Sequence, residues 1–186
     1  MSEEERPSVS TGAGDSGFSS LAFGKPIPKD SPVFDLVGTL DELNSVLGIC
    51  ICYTQPDCIE YVKLVQHRLF DIGACIACNK EPSDDLKKFV SFLDKWGVEL
   101  EKKIPPFQCF ILPGGSVGAS YYHFARTVCR RLERIEVKAI INEEHGKLYC
   151  QIINRLSDVL FILARYHNTA VNVPEIPYES KPNPPI

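Results

Sequence analysis

Gly12, Gly14 and Gly17 spell G-x-G-x-x-G within the stretch from Ser10 to Asp30, and the chemistry they raise is phosphate binding. Closely spaced glycines, here with Asp15 and Ser16 between them, let successive backbone N–H groups turn inward and form a concavity that suits phosphate oxygens. Ser19, Ser20, Lys25 and Lys29 add hydroxyls and positive charge. A dinucleotide fold would need a buried strand running into the glycines and a helix leaving them. Residues 1–10 are polar and charged, and Pro26 and Pro28 forbid a helix directly downstream. Two readings survive: an anion-binding loop without a Rossmann sheet, and a flexible Gly- and Ser-rich tail.

A second set of reactive residues lies at helical spacing. Arg126, Arg130 and Glu133 fall at i, i+4 and i+7, opposite an apolar stripe of Ala125, Val128, Leu132, Ile135 and Ala139, with Arg131 and Arg134 flanking them. The plain reading is a solvated basic face with an Arg130–Glu133 ion pair. Further on, Ile152, Leu156, Val159 and Leu163 form a stripe, while Asn154, Asp158, Phe161 and Arg165 stack on the other side. That mixture suits a subunit interface or a pocket wall. Asp41 and Asn44 stand off another apolar stripe and could meet an arginine. Phe107, Phe110, Ile111 and Leu112 precede Pro113-Gly114-Gly115, an apolar loop that serves as a packing lid or a ligand wall.

The elements that must position these residues are helices. The first opens at Thr39, with Glu42 completing a T-x-x-E capping box, and buries Leu40, Leu43, Leu47 and Cys50 until Pro56 ends it. Four more follow over about 59–78, 84–103, 118–142 and 148–169, the third stopping before Pro105 and Pro106. The Pro-rich end, from Val171 on, is extended. With no strand alternation, the architecture is an all-α antiparallel five-helix bundle.

Composition narrows the function. The 186 residues suit one domain with a substantial core, and the formal net charge of -4 argues against a binder resting on many nucleic-acid phosphate contacts. No apolar run approaches the roughly 20 residues that span a bilayer, so neither nucleic acid nor membrane is an expected partner. Glu3, Glu4 and Glu5 are the opposite of an Arg-rich transit peptide, so no presequence is visible. Of the eight cysteines, Cys50, Cys52, Cys75, Cys78, Cys129 and Cys150 lie in apolar helical segments and read as small core hydrophobes. Cys75 and Cys78 form C-x-x-C, yet no second pair or histidine stands at zinc-ligand spacing.

Four ordered motifs then name a family: "GTLDELNS", "FILPGGS", "ARTVCRRLER" and "NRLSDVLFILARY", preceded by "TGAGDSGFSS" and Lys29. Over about Thr11 to Asn168 the chain resembles the PduO-type ATP:cob(I)alamin adenosyltransferases, and "SPVFDLVGT" resembles their animal mitochondrial branch. The resemblance implies a trimer with active sites between subunits, and an N-terminal loop that orders over ATP and Mg²⁺, the metal riding on the ATP phosphates rather than on a dedicated protein cluster. Thr11, Gly12, Gly14, Asp15, Gly17, Ser19 and Lys29 would line the nucleotide from one subunit, and Arg130, Glu133 and Asn154 from its neighbour. Asp41 would pair with Arg126 at the corrinoid end, beside Asn44, and Phe110 would crowd the lower face of cobalt; Arg130, Phe110, Asp41 and Arg126 would carry the catalysis. The implied organisation is a leader and ATP loop over 1–34, the bundle over 35–170 and the extended tail over 171–186. A cobalamin reductase and methylmalonyl-CoA mutase are the implied partners, and the mitochondrion the implied compartment, with the cytosol as alternative. The chain departs from the family at Gly12 and Ser16, where members generally carry cations. That keeps open a catalytically weakened corrinoid-binding or delivery protein of the same fold.

Overall fold

The computed structural model describes residues 12, 14–22 and 24–181. After a two-residue ribbon, β1 (Phe18–Ser19) antiparallel to β2 (Ile27–Pro28), the chain is helical: α1 (Pro32–Ile51), a 3-10 turn (Pro56–Cys58), α2 (Ile59–Cys78), a short α3 (Asp84–Lys87), α4 (Phe89–Glu101), α5 (Val117–Ile140) and α6 (Gly146–Ala170). Five long helices make the bundle, as the periodicity predicts. In contact order they run α2, α1, α5, α6, α4. Tyr61 of α2 stacks on Phe92 and Trp96 of α4, at ring distances of 5.8 and 5.2 Å, and closes the circuit. Leu36, Leu43, Leu47, Ile72, Leu93, Leu132, Ile152 and Leu156 fill its axis with essentially no solvent exposure.

Two boundaries differ from the sequence expectation. Helix α1 begins at Pro32 rather than Thr39, because proline at the first helical position costs no hydrogen bond and Asp35 favours the first turn electrostatically. Thr39 therefore sits mid-helix, its hydroxyl donating back to the Asp35 carbonyl at 2.6 Å, and Glu42 pairs with Arg131 of α5 instead of closing a capping box. The expected helix over 84–103 is broken at Lys88, where φ of −85° and ψ of −7° depart from regular α-helical values between α3 and α4. Ser83 caps the short first piece, accepting from the Leu86 N–H at 3.2 Å.

All eight cysteines are free thiols: Cys50, Cys58, Cys129 and Cys150 are buried, Cys75 and Cys78 half-buried, and Cys109 exposed. Cys52, expected in the core, is also exposed, because it lies at the C-cap of α1, where its thiol reaches only the Gly48 carbonyl.

One core residue breaks the apolar pattern. Glu136 of α5 is fully buried, and neither carboxylate oxygen has a hydrogen-bond partner. Burial, reinforced by the charge of Glu133, pushes its carboxyl up to about 8. An unfolded glutamate loses its proton near pH 4.5 while the folded one keeps it to about pH 8, so folding becomes costlier as pH rises across that window. Glu136→Gln should accordingly stabilise the protein by an amount on the order of 3 kcal/mol at pH 8, shrinking toward nothing near pH 4. Thermal melts of both proteins at several pH values check this, and a difference independent of pH would reject it.

Candidate active site

The glycine loop is built as a turn leading into the ribbon. Gly12 and Gly17 have φ of +67° and +82°, the left-handed region that side-chain-bearing residues avoid. The Asp15 N–H donates to the Gly12 carbonyl, the Gly17 N–H to the Gly14 carbonyl, and the Lys29 N–H returns across the ribbon to the Gly17 carbonyl at 2.9 Å. Pairing Phe18 with Pro28 and Ser19 with Ile27 brings Lys29 back over the turn. A Cβ on Gly14 would stand 2.6 Å from the Lys29 Nζ. Gly12, Gly14, Asp15, Gly17, Ser19 and Lys29 thus lie in one turn and ribbon that brings the Lys29 ammonium to the glycines, and Lys25 is exposed nearby in sequence. Thr11 lies outside the described residues.

Helices α5 and α6, the most extensively packed pair, position the second group. Arg126 and Arg130 share a cavity of about 270 Å³ with Phe107, Phe110 and Phe161, and with Ser157 and Asp158 of α6. The Arg126 guanidinium lies 6.0 Å from the Phe161 ring centre, and its Nε is buried without a hydrogen-bond partner. Burial and the neighbouring Arg130 both lower the Arg126 pKa from its ordinary value. One turn along, Glu133 accepts from the Asn154 side-chain amide at 2.8 Å and joins α5 to α6. The Arg130–Glu133 ion pair of the plain sequence reading is absent among the described residues, which leaves Arg130 exposed and uncommitted.

Asp41 and Asn44 are elsewhere. They line an apolar cavity of about 550 Å³ between α1 and α2, walled by Phe34, Val37, Leu69 and Phe70. Asn44 is buried, donates to the Gln66 carbonyl at 3.3 Å and receives the Gln66 side-chain amide on its own carbonyl at 3.0 Å. Its Oδ1 has no partner. No ion pair among the described residues joins Asp41 to Arg126, so within one chain the expected pairing is not made. The candidate residues divide among three surfaces: the glycine turn, the aromatic–arginine cavity and the α1–α2 groove.

Three features here escape sequence reading. His123, one turn before Arg126, is buried beside the Phe161 ring with neither ring nitrogen bonded, and burial together with Arg126 drops its pKa to about 4, so it is neutral. Phe34 and Phe70 flank Asp41, yet only tertiary packing brings them together. Arg165, expected with Asn154, Asp158 and Phe161 on an interface or pocket wall, is buried against Glu175 of the tail, a partner that the helical period does not announce. Glu175, set between Pro174 and Pro177, was the available signal. Elsewhere, Glu81, Glu144 and His145 gather possible metal-ligand atoms within 4.8 Å, but they share no residue with either cavity above.

Comparisons with known proteins bear on the family and the fold. The family model described as cobalamin adenosyltransferase matches residues 9–167. The chain is 39% identical over 168 residues to the cobalamin adenosyltransferase of Cupriavidus metallidurans, covering 87% of this chain and 89% of that protein. It is 38% identical over 172 residues to the human corrinoid adenosyltransferase MMAB, covering 86% and 68%. Among solved structures, a Phe-to-Ala variant of the PduO-type ATP:corrinoid adenosyltransferase from Lactobacillus reuteri, complexed with cobalamin and ATP, superposes with a TM-score of 0.86 at 28% identity. That match covers 93% of this chain and all of the other.

Proposed function

The chain belongs to the cobalamin adenosyltransferase family, and from that premise we propose how its residues carry the reaction. It is an ATP:cob(I)alamin adenosyltransferase, moving the 5′-deoxyadenosyl group of ATP onto cob(I)alamin to form adenosylcobalamin and release triphosphate. The cobalt–carbon bond forms as the bond from the 5′ carbon to the triphosphate oxygen breaks, and the triphosphate leaves with the electron pair. Cob(I)alamin is itself a strong nucleophile, so the protein needs no general base. It must align the reactants and stabilise the departing anion.

The observation that carries this assignment is the cavity where Arg126 and Arg130, uncommitted to any carboxylate among the described residues, face an aromatic wall ending in Phe110. Cations meet the triphosphate there, and aromatics meet the corrinoid. Thr11, Gly12, Gly14, Asp15, Gly17, Ser19 and Lys29 of one subunit hold the nucleotide with Arg130, Glu133 and Asn154 of its neighbour, and Mg²⁺ is held by the ATP phosphates. Asp41 and Asn44 receive the corrinoid opposite Arg126 and Phe110.

A homotrimer supplies that juxtaposition. Among the described residues neither Asp41 nor Arg126 makes an ion pair, so each suits the other across a subunit boundary. Reducing Co(II) to Co(I) calls for a cobalamin reductase, and methylmalonyl-CoA mutase is the expected consumer of the product. Likeness to the animal branch supports a mitochondrial reaction, with the cytosol as the alternative compartment.

An anaerobic absorbance assay with MgATP and chemically reduced cob(I)alamin tests the function directly. Adenosylated product establishes it; bound corrinoid without product would instead mark a delivery protein, the reading that Gly12 and Ser16 favour. Each missing charge-assisted phosphate contact is worth about 1.5–3 kcal/mol. Ser16→Lys should therefore tighten ATP binding at least about tenfold by titration calorimetry, whereas unchanged affinity would place position 16 away from the phosphates.

A further inference from the structure

Phe110 is 77% exposed, so its ring has no packed socket of its own. Its one aromatic neighbour among the described residues is Phe107, edge-on at 6.2 Å. A side chain so placed takes its position from its backbone, and hydrogen bonds from the C-terminal segment hold that backbone. The Tyr178 N–H donates to the Phe110 carbonyl at 2.7 Å, the Leu112 N–H donates to the Ile176 carbonyl at 2.8 Å, and Ile111 and Pro177 form an antiparallel bridge between them.

The segment is itself clasped to α6. Arg165, 5% exposed, sends its Nε to Glu175 Oε1 at 2.8 Å and a terminal nitrogen to Oε2 at 3.1 Å. The same terminal nitrogen donates to the Pro105 carbonyl at 2.9 Å, and the guanidinium lies 5.6 Å from the Phe107 ring centre. One buried arginine thus ties the tail, the start of the aromatic loop and the ring beside Phe110 to a single point on α6. A two-toothed arginine–carboxylate pair fixes direction as well as distance.

We propose that residues 173–178, clasped by the Arg165–Glu175 pair, form a strap that positions Phe110 against the corrinoid; this rests on the reading of Phe110 given above. Arg165 and Glu175 act through Phe110 and touch neither substrate. A ring crowding the lower face of cobalt excludes the axial ligand there and eases reduction of Co(II), so loss of either residue strikes that step and spares transfer from Co(I).

Two variants test the strap. Tyr178→Pro deletes the N–H that bonds the Phe110 carbonyl, at a residue whose ring is already exposed. Glu175→Gln removes the charge from the clasp. With MgATP present, each should slow adenosylation from cob(II)alamin at least about tenfold and weaken the electron paramagnetic resonance signal of Co(II) lacking its lower axial ligand. The rate from preformed cob(I)alamin should stay within about twofold. Glu179→Pro, whose N–H makes no backbone hydrogen bond among the described residues, should leave both rates alone, and Glu175→Asp should recover part of the loss. Thermal melts confirm that each variant is folded. If Phe110→Ala slows the Co(II) route but Tyr178→Pro and Glu175→Gln do not, the strap is overturned. If Phe110→Ala leaves that route untouched, the reading of Phe110 falls and the strap falls with it.

Discussion

Arg130→Ala lowers kcat/KM for adenosylation of preformed cob(I)alamin by about 10² to 10³, the loss expected when one preorganised donor to a developing anion is removed. What matters is what Arg130 lacks. It is exposed on α5 and makes no ion pair among the described residues, and its helix presents it to the cavity that Phe107, Phe110 and Phe161 wall. Arg131, its immediate neighbour, is committed to Glu42, and Arg155 to Asp94 and Asp158. Arg130 is thus free to meet a triphosphate. Because its side chain is not part of the core, the substitution should shift the melting temperature little, and lost activity then reports chemistry rather than unfolding. Arg130→Lys keeps a point charge but loses the planar fork, and should fall between the two. Anaerobic absorbance kinetics at saturating MgATP provide the measurement; undiminished turnover would remove Arg130 from the site.

Helix faces were legible because burial and sequence period coincide. The predicted stripe of Ile152, Leu156, Val159 and Leu163 on α6 is buried as the spacing requires, as are Ala125, Val128 and Leu132 of the α5 stripe, whose last members Ile135 and Ala139 are half-buried. The limits of α2 were legible for a similar reason: Pro56 precedes it and Asn79 closes it in a left-handed conformation. Thr39 misled because a T-x-x-E box and a threonine bonded back within a helix look alike in sequence, and only Pro32 at the first turn separates them. The site was legible by motif more than by physics. Period places Arg126, Arg130 and Glu133 on one face, but it carries no information about Asp41, which lies on another surface of the same chain. The partner of Arg165 was not legible, because Glu175 lies beyond the end of its helix in a tail with no periodicity. Long-range pairings of that kind are set by the packed structure and leave no local pattern.

That separation of surfaces bears on mechanism. A pocket complete within one chain would hold its cations already neutralised by neighbouring acids, and binding an anionic substrate would first have to break those pairs. Here Arg126 and Arg130 have no carboxylate partner among the described residues, while the acid expected to meet Arg126 sits on the α1–α2 groove. Assembly, not folding, would then complete the site, so catalytic competence and subunit association should be lost together on dilution.

Phe110→Ala carries the second large effect, and its value lies in a split between two substrates. Starting from cob(II)alamin with a reductant, adenosylation should slow by about 10- to 100-fold; starting from preformed cob(I)alamin, the rate should stay within about twofold and ATP affinity should be unchanged. Reduction to Co(I) becomes easier once the lower axial ligand is excluded, and an apolar ring at that face excludes it, a case of the protein tuning chemistry that the cofactor-like substrate carries. Phe110 suits the task because it is exposed at the rim of the arginine cavity yet anchored through its backbone. Alanine removes the ring while leaving that backbone in place, with Phe107 and Phe161 still packed edge to face at 5.8 Å behind it. Leu and Trp at position 110 should retain more of the Co(II) rate than Ala in proportion to the apolar volume they restore. Equal losses from both oxidation states would mean that the ring merely helps bind corrinoid, and the tuning role would have to be abandoned.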